Sequence, residues 1–146
     1  MIPHNAVADD DIRAILRSVR TIALVGLSAN PGRDSHVVFG FLLGHGYRAV
    51  GVNPGLAGQT IHDAPVYGRL ADVPFAIDMV DIFRNSQAAG SVVDEALALR
   101  PPPKVIWMQL GVVNDAAAAK ANAAGITAVM DRCPKIEITR LSLPPV

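Results

Sequence analysis

The 146-residue chain contains a single cysteine, Cys133. That excludes a disulfide framework and a cysteine-held zinc site, and it suits a reducing compartment. Charge of one sign is missing too. Lys plus Arg number 13 and Asp plus Glu 13, with a pI near 6.9, so no broad basic surface is offered to nucleic acid or an anionic membrane. Any cation must act locally. Long hydrophobic runs are also absent: the chain is 51% hydrophobic with a mean hydropathy of +0.32, yet Gly, His, Arg, Asp or Pro interrupts each apolar run far short of a membrane span. Residues 1–11 have neither the basic start nor the apolar stretch of a secretory leader. These absences point to a cytoplasmic protein of one domain, residues 1–146, with residues 1–19 as a helical extension and length enough for one sizeable core.

Residues that carry chemistry unaided are scarce. His4, His36, His45 and His62 are scattered, and there is no H-x-x-x-H pair, no Gly-x-Ser-x-Gly elbow and no carboxylate cluster. The expectation is therefore a binding protein without catalysis or metal of its own. Fold alone does not decide this, because one α/β scaffold hosts many chemistries.

What the chain does carry is the segment Thr21-Ile-Ala-Leu-Val-Gly-Leu-Ser-Ala-Asn-Pro-Gly-Arg-Asp-Ser35. An apolar β-rich run breaks into a Gly/Ser/Asn/Pro turn and then enters a helix, the layout that aims unpaired backbone N–H groups and a helix dipole at an anion. Strand and helix signals alternate from there. A helix is predicted over 9–19, a strand over 21–27, and a helix over 35–43 with Val37, Val38, Phe41 and Leu42 as its apolar stripe, stopped by Gly44-His45-Gly46. The second strand is predicted over 47–52, with short β pieces at 60–61 and 66–67 in the loop that follows. The third, fourth and fifth strands are predicted over 77–83, 104–109 and 126–130, with helices over 86–99 and from Asn114 to Gly125 between them. Such alternation implies right-handed crossovers and a Rossmann-like three-layer α/β fold with a five-stranded parallel sheet, order 3-2-1-4-5. Ligands of such sheets bind at the carboxyl ends of the strands beside the first one, which centres the site on Gly26, Leu27 and Ser28 and aims Asn53, Arg84 and Gln109 at the same crevice. Trp107 and Met108 read as core.

The turn, Gly26-Leu-Ser-Ala-Asn-Pro-Gly32, lacks the second and third glycines of G-x-G-x-x-G, and Asn53-Pro54 stands where an NAD site wants a carboxylate. It also lacks the spacing and lysine of a Walker A loop. An NAD(P)-binding redox protein nevertheless stays as an alternative.

Five stretches in order resemble the small stand-alone CoA-binding proteins: residues 25–35, Gly-Tyr-Arg-Ala-Val-Gly-Val-Asn-Pro (46–54), Val-Asp-Ile-Phe-Arg-Asn-Ser (80–86), Trp-Met-Gln-Leu-Gly-Val (107–112) and Met-Asp-Arg-Cys-Pro-Lys-Ile-Glu (130–137). The fold of that family is similar to the CoA-binding domain of the succinyl-CoA synthetase α subunit. The resemblance implies coenzyme A or an acyl-CoA as the ligand. The pyrophosphate would take N–H donors from Gly26 to Ser28 and from the helix start at Ser35, with Pro31 in the turn and Arg33 as the cation. The 3′-phosphate and adenine are assigned by resemblance to Val52, Asn53 and Pro54 and to Phe83 and Arg84. Ser35 reads as an N-cap, a ligand contact or both, and Arg84 alternatively as the ion-pair partner of Asp81. Family members often carry a lysine after the Asn-Pro pair; here Gly55-Leu56 follow, with Arg48 and His36 as candidates to replace it. The phosphohistidine domain of the synthetase has no room here, so a CoA-binding subunit of a larger acyl-CoA enzyme, with an unidentified partner chain or a homodimer, is a further alternative. Beside a CoA thiol, Cys133 can form a mixed disulfide, with Arg132 and Lys135 favouring its thiolate; the competing reading is a buried, inert thiol.

Overall fold

The first strand, β1 (Thr21–Val25), shows why this chain builds a sheet covered on both sides. Ile22 and Leu24 pack into one apolar cluster, Ala23 and Val25 into another, and all four are buried. A period of two with both phases apolar leaves no face for water, so helices must cover each side. The computed structural model describes residues 7–146; residues 1–6, with His4 and the beginning of the expected extension, lie outside the described residues. The described strands are β1, β2 (Arg48–Val52), β3 (Thr60–Ile61), β4 (Ala64–Tyr67), β5 (Met79–Ile82), β6 (Val105–Met108) and β7 (Thr127–Val129). The helices are α1 (Asp9–Ser18), α2 (Asp34–Gly44), α3 (Ser86–Leu97), α4 (Asp115–Ala123) and α5 (Pro134–Arg140). Side chains from α1, α2 and α5 fill one cluster, and those from α3 and α4 fill the other.

The α/β, Rossmann-like character expected from the sequence is present, but the sheet has seven strands in the order β3-β4-β2-β1-β5-β6-β7. This corrects the five-stranded order 3-2-1-4-5. The strand predicted over 77–83 is β5, and it lies directly against β1, Ile22 opposite Met79 and Val25 opposite Ile82. The outer place beside β2 belongs to β4, which pairs Val66 with Gly51 and Tyr67 with Val52. All four residues of β5 are buried and need a neighbour on each side, whereas β4 carries an exposed Pro65 that cannot donate to a ladder and suits the margin. The β3–β4 pair is the one antiparallel pair of the described sheet.

Two helices also differ from expectation. The buried stripe of α2 is Ser35, Val38, Phe39 and Leu42, an i, i+3, i+4, i+7 set, while Val37 is 45% exposed. Helix α5 is absent from the sequence prediction. It is tied to α1 by Arg140, which donates to Asp9 at 2.7 Å and to Glu137 at 2.8 Å, while Arg132 pairs with the other oxygen of Glu137. No helix of the described residues is long and apolar enough to cross a membrane.

Two carboxylates three residues apart have opposite surroundings. Burial pushes the Asp78 carboxyl up, but backbone N–H groups of Arg20 and Thr21, at 2.8 and 3.2 Å, outweigh it and hold it below its ordinary value. Asp81, within β5, is 0% exposed and neither side-chain oxygen has a partner, so burial alone holds its carboxyl well above the ordinary range. The Arg84–Asp81 ion pair considered from the sequence is not formed. Folding therefore keeps a proton on Asp81 that the unfolded chain releases, and stability falls as pH rises above the ordinary carboxylate value toward the raised one. Asp81→Asn removes that dependence. In urea unfolding the variant should gain on the wild type by about 1.4 kcal/mol per pH unit through this window, starting near about pH 4; a difference that stays flat with pH would contradict a protonated Asp81.

Candidate functional site

The site begins where β1 ends. Gly26 has φ +93° and donates its N–H to the Val52 carbonyl at 2.9 Å, and a Cβ at this position would lie 2.3 Å from the Phe83 carbonyl oxygen. Only glycine lets the β1–α2 turn and the β5–α3 loop touch backbone to backbone. Leu27 is buried beneath, against Gly51, where a Cβ would meet its Cδ2 at 2.4 Å.

The turn is held by its own polar groups. Ser28 N–H donates to Ser35 Oγ at 3.0 Å, Asn30 N–H to Ser28 Oγ at 3.1 Å, and Gly32 N–H to Asn30 Oδ1 at 2.9 Å. His36 donates from Nδ1 to the Ser28 carbonyl at 2.9 Å, and its ring meets that of His62 edge-on at 4.6 Å between centroids. From the end of β2, Asn53 donates to the Leu27 carbonyl and accepts from Gly55 N–H, both at 2.8 Å. Ser35 is not the N-cap: Arg33 is, in extended geometry and without a side-chain capping bond, and Ser35 is a buried first-turn residue. The helix begins one residue earlier because the Ser35 hydroxyl is spent on Ser28. Among the described residues no acceptor meets the N–H groups of Asp34 and Ser35, and the exposed Arg33 guanidinium has no ion-pair partner.

These donors open onto a space of about 330 Å³ lined by Gly26, Ser28, Arg33, Asp34, Ser35 and Phe83. Asp34 and Phe83 also line a second, larger cleft of about 630 Å³ that runs past Arg84 and Gln109 to the start of α5. Gln109 is 4% exposed and its Oε1 has no partner. Val37, Leu110 and Ile136 rim this cleft and are 45%, 57% and 50% exposed, the large apolar side chains most open to solvent among the described residues.

The structure thus brings Gly26, Ser28, Arg33, Ser35 and Phe83 to one space and Phe83, Arg84 and Gln109 to the next. Pro31, Val52, Asn53 and Pro54 line neither. Val52 and Asn53 brace the turn, Pro54 opens a short 3-10 turn, and Pro31 is exposed at the loop apex. Arg48 is at the start of β2, the far end of the strand from the site, with its guanidinium 3.7 Å from the Phe75 ring centroid, so it is no substitute for a lysine after Asn53-Pro54. His36 is beside the turn. Trp107 and Met108 are fully buried, as expected for core. Val37, Leu110 and Ile136 escaped the sequence reading as site residues because the cleft has α5 as a wall, while Lys135 was named there only as a neighbour of Cys133; Pro134 at the first helical position was the available signal. Among the described residues no group of three His, Cys, Asp or Glu side chains can hold a metal ion.

A family model described as CoA binding domain matches residues 20–139. The chain belongs to this CoA-binding domain family. It is 36% identical over 129 residues to the uncharacterized protein YneT of Bacillus subtilis (strain 168), covering 86% of this chain and 90% of that one. A solved structure of a hypothetical protein from Pyrococcus horikoshii OT3 superimposes with a TM-score of 0.88 at 35% identity, covering 97% of each chain. A Thermus thermophilus structure, cell-free ID.343, gives a TM-score of 0.86 at 34% identity, covering 92% of this chain and 99% of that one. The two solved structures share the fold over nearly their full length.

The close approach at Gly26 makes a direct prediction. Gly26→Ala adds a methyl group against the Phe83 carbonyl at a positive φ, and chemical denaturation should show a loss of about 2–4 kcal/mol. Wild-type stability in this CoA-binding domain would mean that the turn and the β5–α3 loop separate at little cost.

Proposed function

We propose that this protein binds coenzyme A or an acyl-CoA, without catalysing a reaction itself, and that the pyrophosphate sits at the β1–α2 turn. The observation that carries this reading is the start of α2: two backbone N–H donors without acceptors, at the positive end of a helix dipole, beside an unpaired guanidinium. The turn is already braced by Ser28, Asn30, Ser35 and Asn53, so little ordering cost opposes binding. Asp34 sets a carboxylate on the same lining, which makes the side-chain charge there neutral with Arg33 and leaves the backbone donors to decide affinity. The apolar-rimmed cleft that continues from the turn suits the pantetheine arm. Gln109 Oε1, a buried acceptor in want of a donor, suits one of that arm's amide N–H groups. The reading without catalysis rests on the sequence, whose histidines are scattered and which has no Gly-x-Ser-x-Gly elbow and no carboxylate cluster.

Calorimetric titration with CoA, and with NAD, NADPH and ATP in parallel, tests the proposal once native mass spectrometry has shown the protein free of carried ligand. CoA should saturate one site while the others stay silent. Arg33→Ala should weaken CoA about tenfold, the worth of one exposed charge-assisted phosphate contact, and Asp34→Asn should strengthen it. A dinucleotide that binds where CoA does not would overturn the reading.

A further inference from the structure

We propose that Cys133 is a site of reversible mixed-disulfide formation with the thiol end of the ligand, an inference that rests on the CoA reading above. Cys133 is 6% exposed and is one of the residues that line the larger cleft. The cleft shares Asp34 and Phe83 with the space at the β1–α2 turn. A molecule anchored there by its phosphates therefore extends its tail along Gln109 toward the start of α5. Gln109 points to such a tail independently: its Oε1 is buried without a partner on the same cleft, an arrangement that costs free energy until an N–H donor arrives. The rim of Val37, Leu110 and Ile136 matches the methylene content of a pantetheine arm, whose last atom is sulfur.

The chemistry of the wall agrees. Cys133 is a free thiol and the only cysteine of the chain, so no internal disulfide competes for it. Lys135 lines the same cleft, with its Nζ 5.7 Å from the Phe41 ring centroid, whereas Arg132, named with it from the sequence, is engaged by Glu137. The segment is held in place by Trp107, whose Nε1–H donates to the Arg132 carbonyl at 2.8 Å. The co-reactant is the disulfide form of the CoA thiol. The Cys133 thiolate attacks one sulfur, the Cys133–S–S–CoA bond forms as the original S–S bond breaks, and the departing CoA thiolate takes up the proton that Cys133 released. No net oxidation occurs, and a reducing thiol reverses the step.

The test is intact-protein mass spectrometry over time after mixing the native chain with CoA disulfide, or with hydroxyethyl disulfide, which has the same bond and no nucleotide. With a single cysteine, any disulfide adduct is on Cys133. The expected result is one CoA adduct per chain, removed by dithiothreitol, formed at least about tenfold faster than the hydroxyethyl adduct at equal concentration and slowed about tenfold by Arg33→Ala. Equal rates from the two disulfides would overturn the proposal, because Cys133 would then be an ordinary accessible thiol. No adduct from protein that binds CoA calorimetrically would overturn it and leave the binding reading standing. Silence in both measurements would overturn both.

Discussion

The contact between Gly26 and the Phe83 carbonyl is the constraint on which the rest of the site depends. The register of the sheet sets it up: Val25 is level with Val52 on one side and with Ile82 on the other, so the chain leaves β1 between the ends of β2 and β5. At that point Gly26 closes the ladder to Val52, and its missing side chain lets the β5–α3 loop fold over the turn. Were β5 the outer strand, as the order 3-2-1-4-5 would have it, Phe83 would be two strands away and neither space could share it. The placement of β5 beside β1 is thus the topological fact from which the two connected spaces follow, in keeping with ligand sites at the switch point of doubly wound sheets.

Around that contact the turn spends its side-chain polarity on itself. Ser28, Asn30, Ser35 and Asn53 all bond backbone groups, and the result is a loop shaped before any ligand arrives. What remains unspent is backbone: the first-turn N–H groups of α2, with Arg33 as a nearby mobile cation and Asp34 as its counterweight. Backbone donors are fixed in direction and cost no rotamer entropy, so they discriminate by geometry, whereas Arg33 contributes attraction that salt screens. The overall neutrality of the chain, 13 basic against 13 acidic residues, fits a site that works at this short range.

Much of this was legible in the sequence, and the reasons differ by element. The β1–turn–α2 unit could be read because its signals are local: an apolar run, a Gly/Ser/Asn/Pro break, and a helical start follow one another within fifteen residues. The order of strands could not, because pairing partners are far apart in sequence and the β piece at 66–67 was read only as part of a loop, whereas it belongs to β4 and pairs with β2. The apolar stripe of α2 was half right: Val38 and Leu42 are buried as expected, but Val37 and Phe41 are as hydrophobic as Phe39, and composition does not tell which of them faces the sheet. Arg48 was named as a candidate to replace a lysine, and Asn53 by its place at a strand end and by resemblance. The structure shows that one is at the wrong end of its strand and that the other serves the turn. Helix α5 was missed because its seven residues carry little periodic signal and much of its anchoring comes from ion pairs with residues far away in sequence.

That last element gives the site two foundations of different kinds. The turn and its N–H donors rest on sheet register and backbone hydrogen bonds, while the wall that carries Cys133 and Ile136 rests on α5, tied to α1 by the chain of pairs from Asp9 through Arg140 and Glu137 to Arg132. The inner part of this chain is sheltered: Glu137 is 5% exposed, and although burial pushes its carboxyl up, the hydrogen bonds from Arg140 and Arg132 hold it below its ordinary value. The outer pair, Arg140 with Asp9, is half open to solvent and adds little by itself. Removing Glu137 would take from Arg140 and Arg132 the carboxylate they share, while Arg140 keeps Asp9 and Arg132 keeps the Val7 carbonyl among its contacts, and would weaken the tie of the wall without touching the hydrogen bonds of the turn. The β1–α2 turn and the α5 wall are thus separable in physical origin, which is why a change at α5 can alter the far end of the larger cleft without touching the turn.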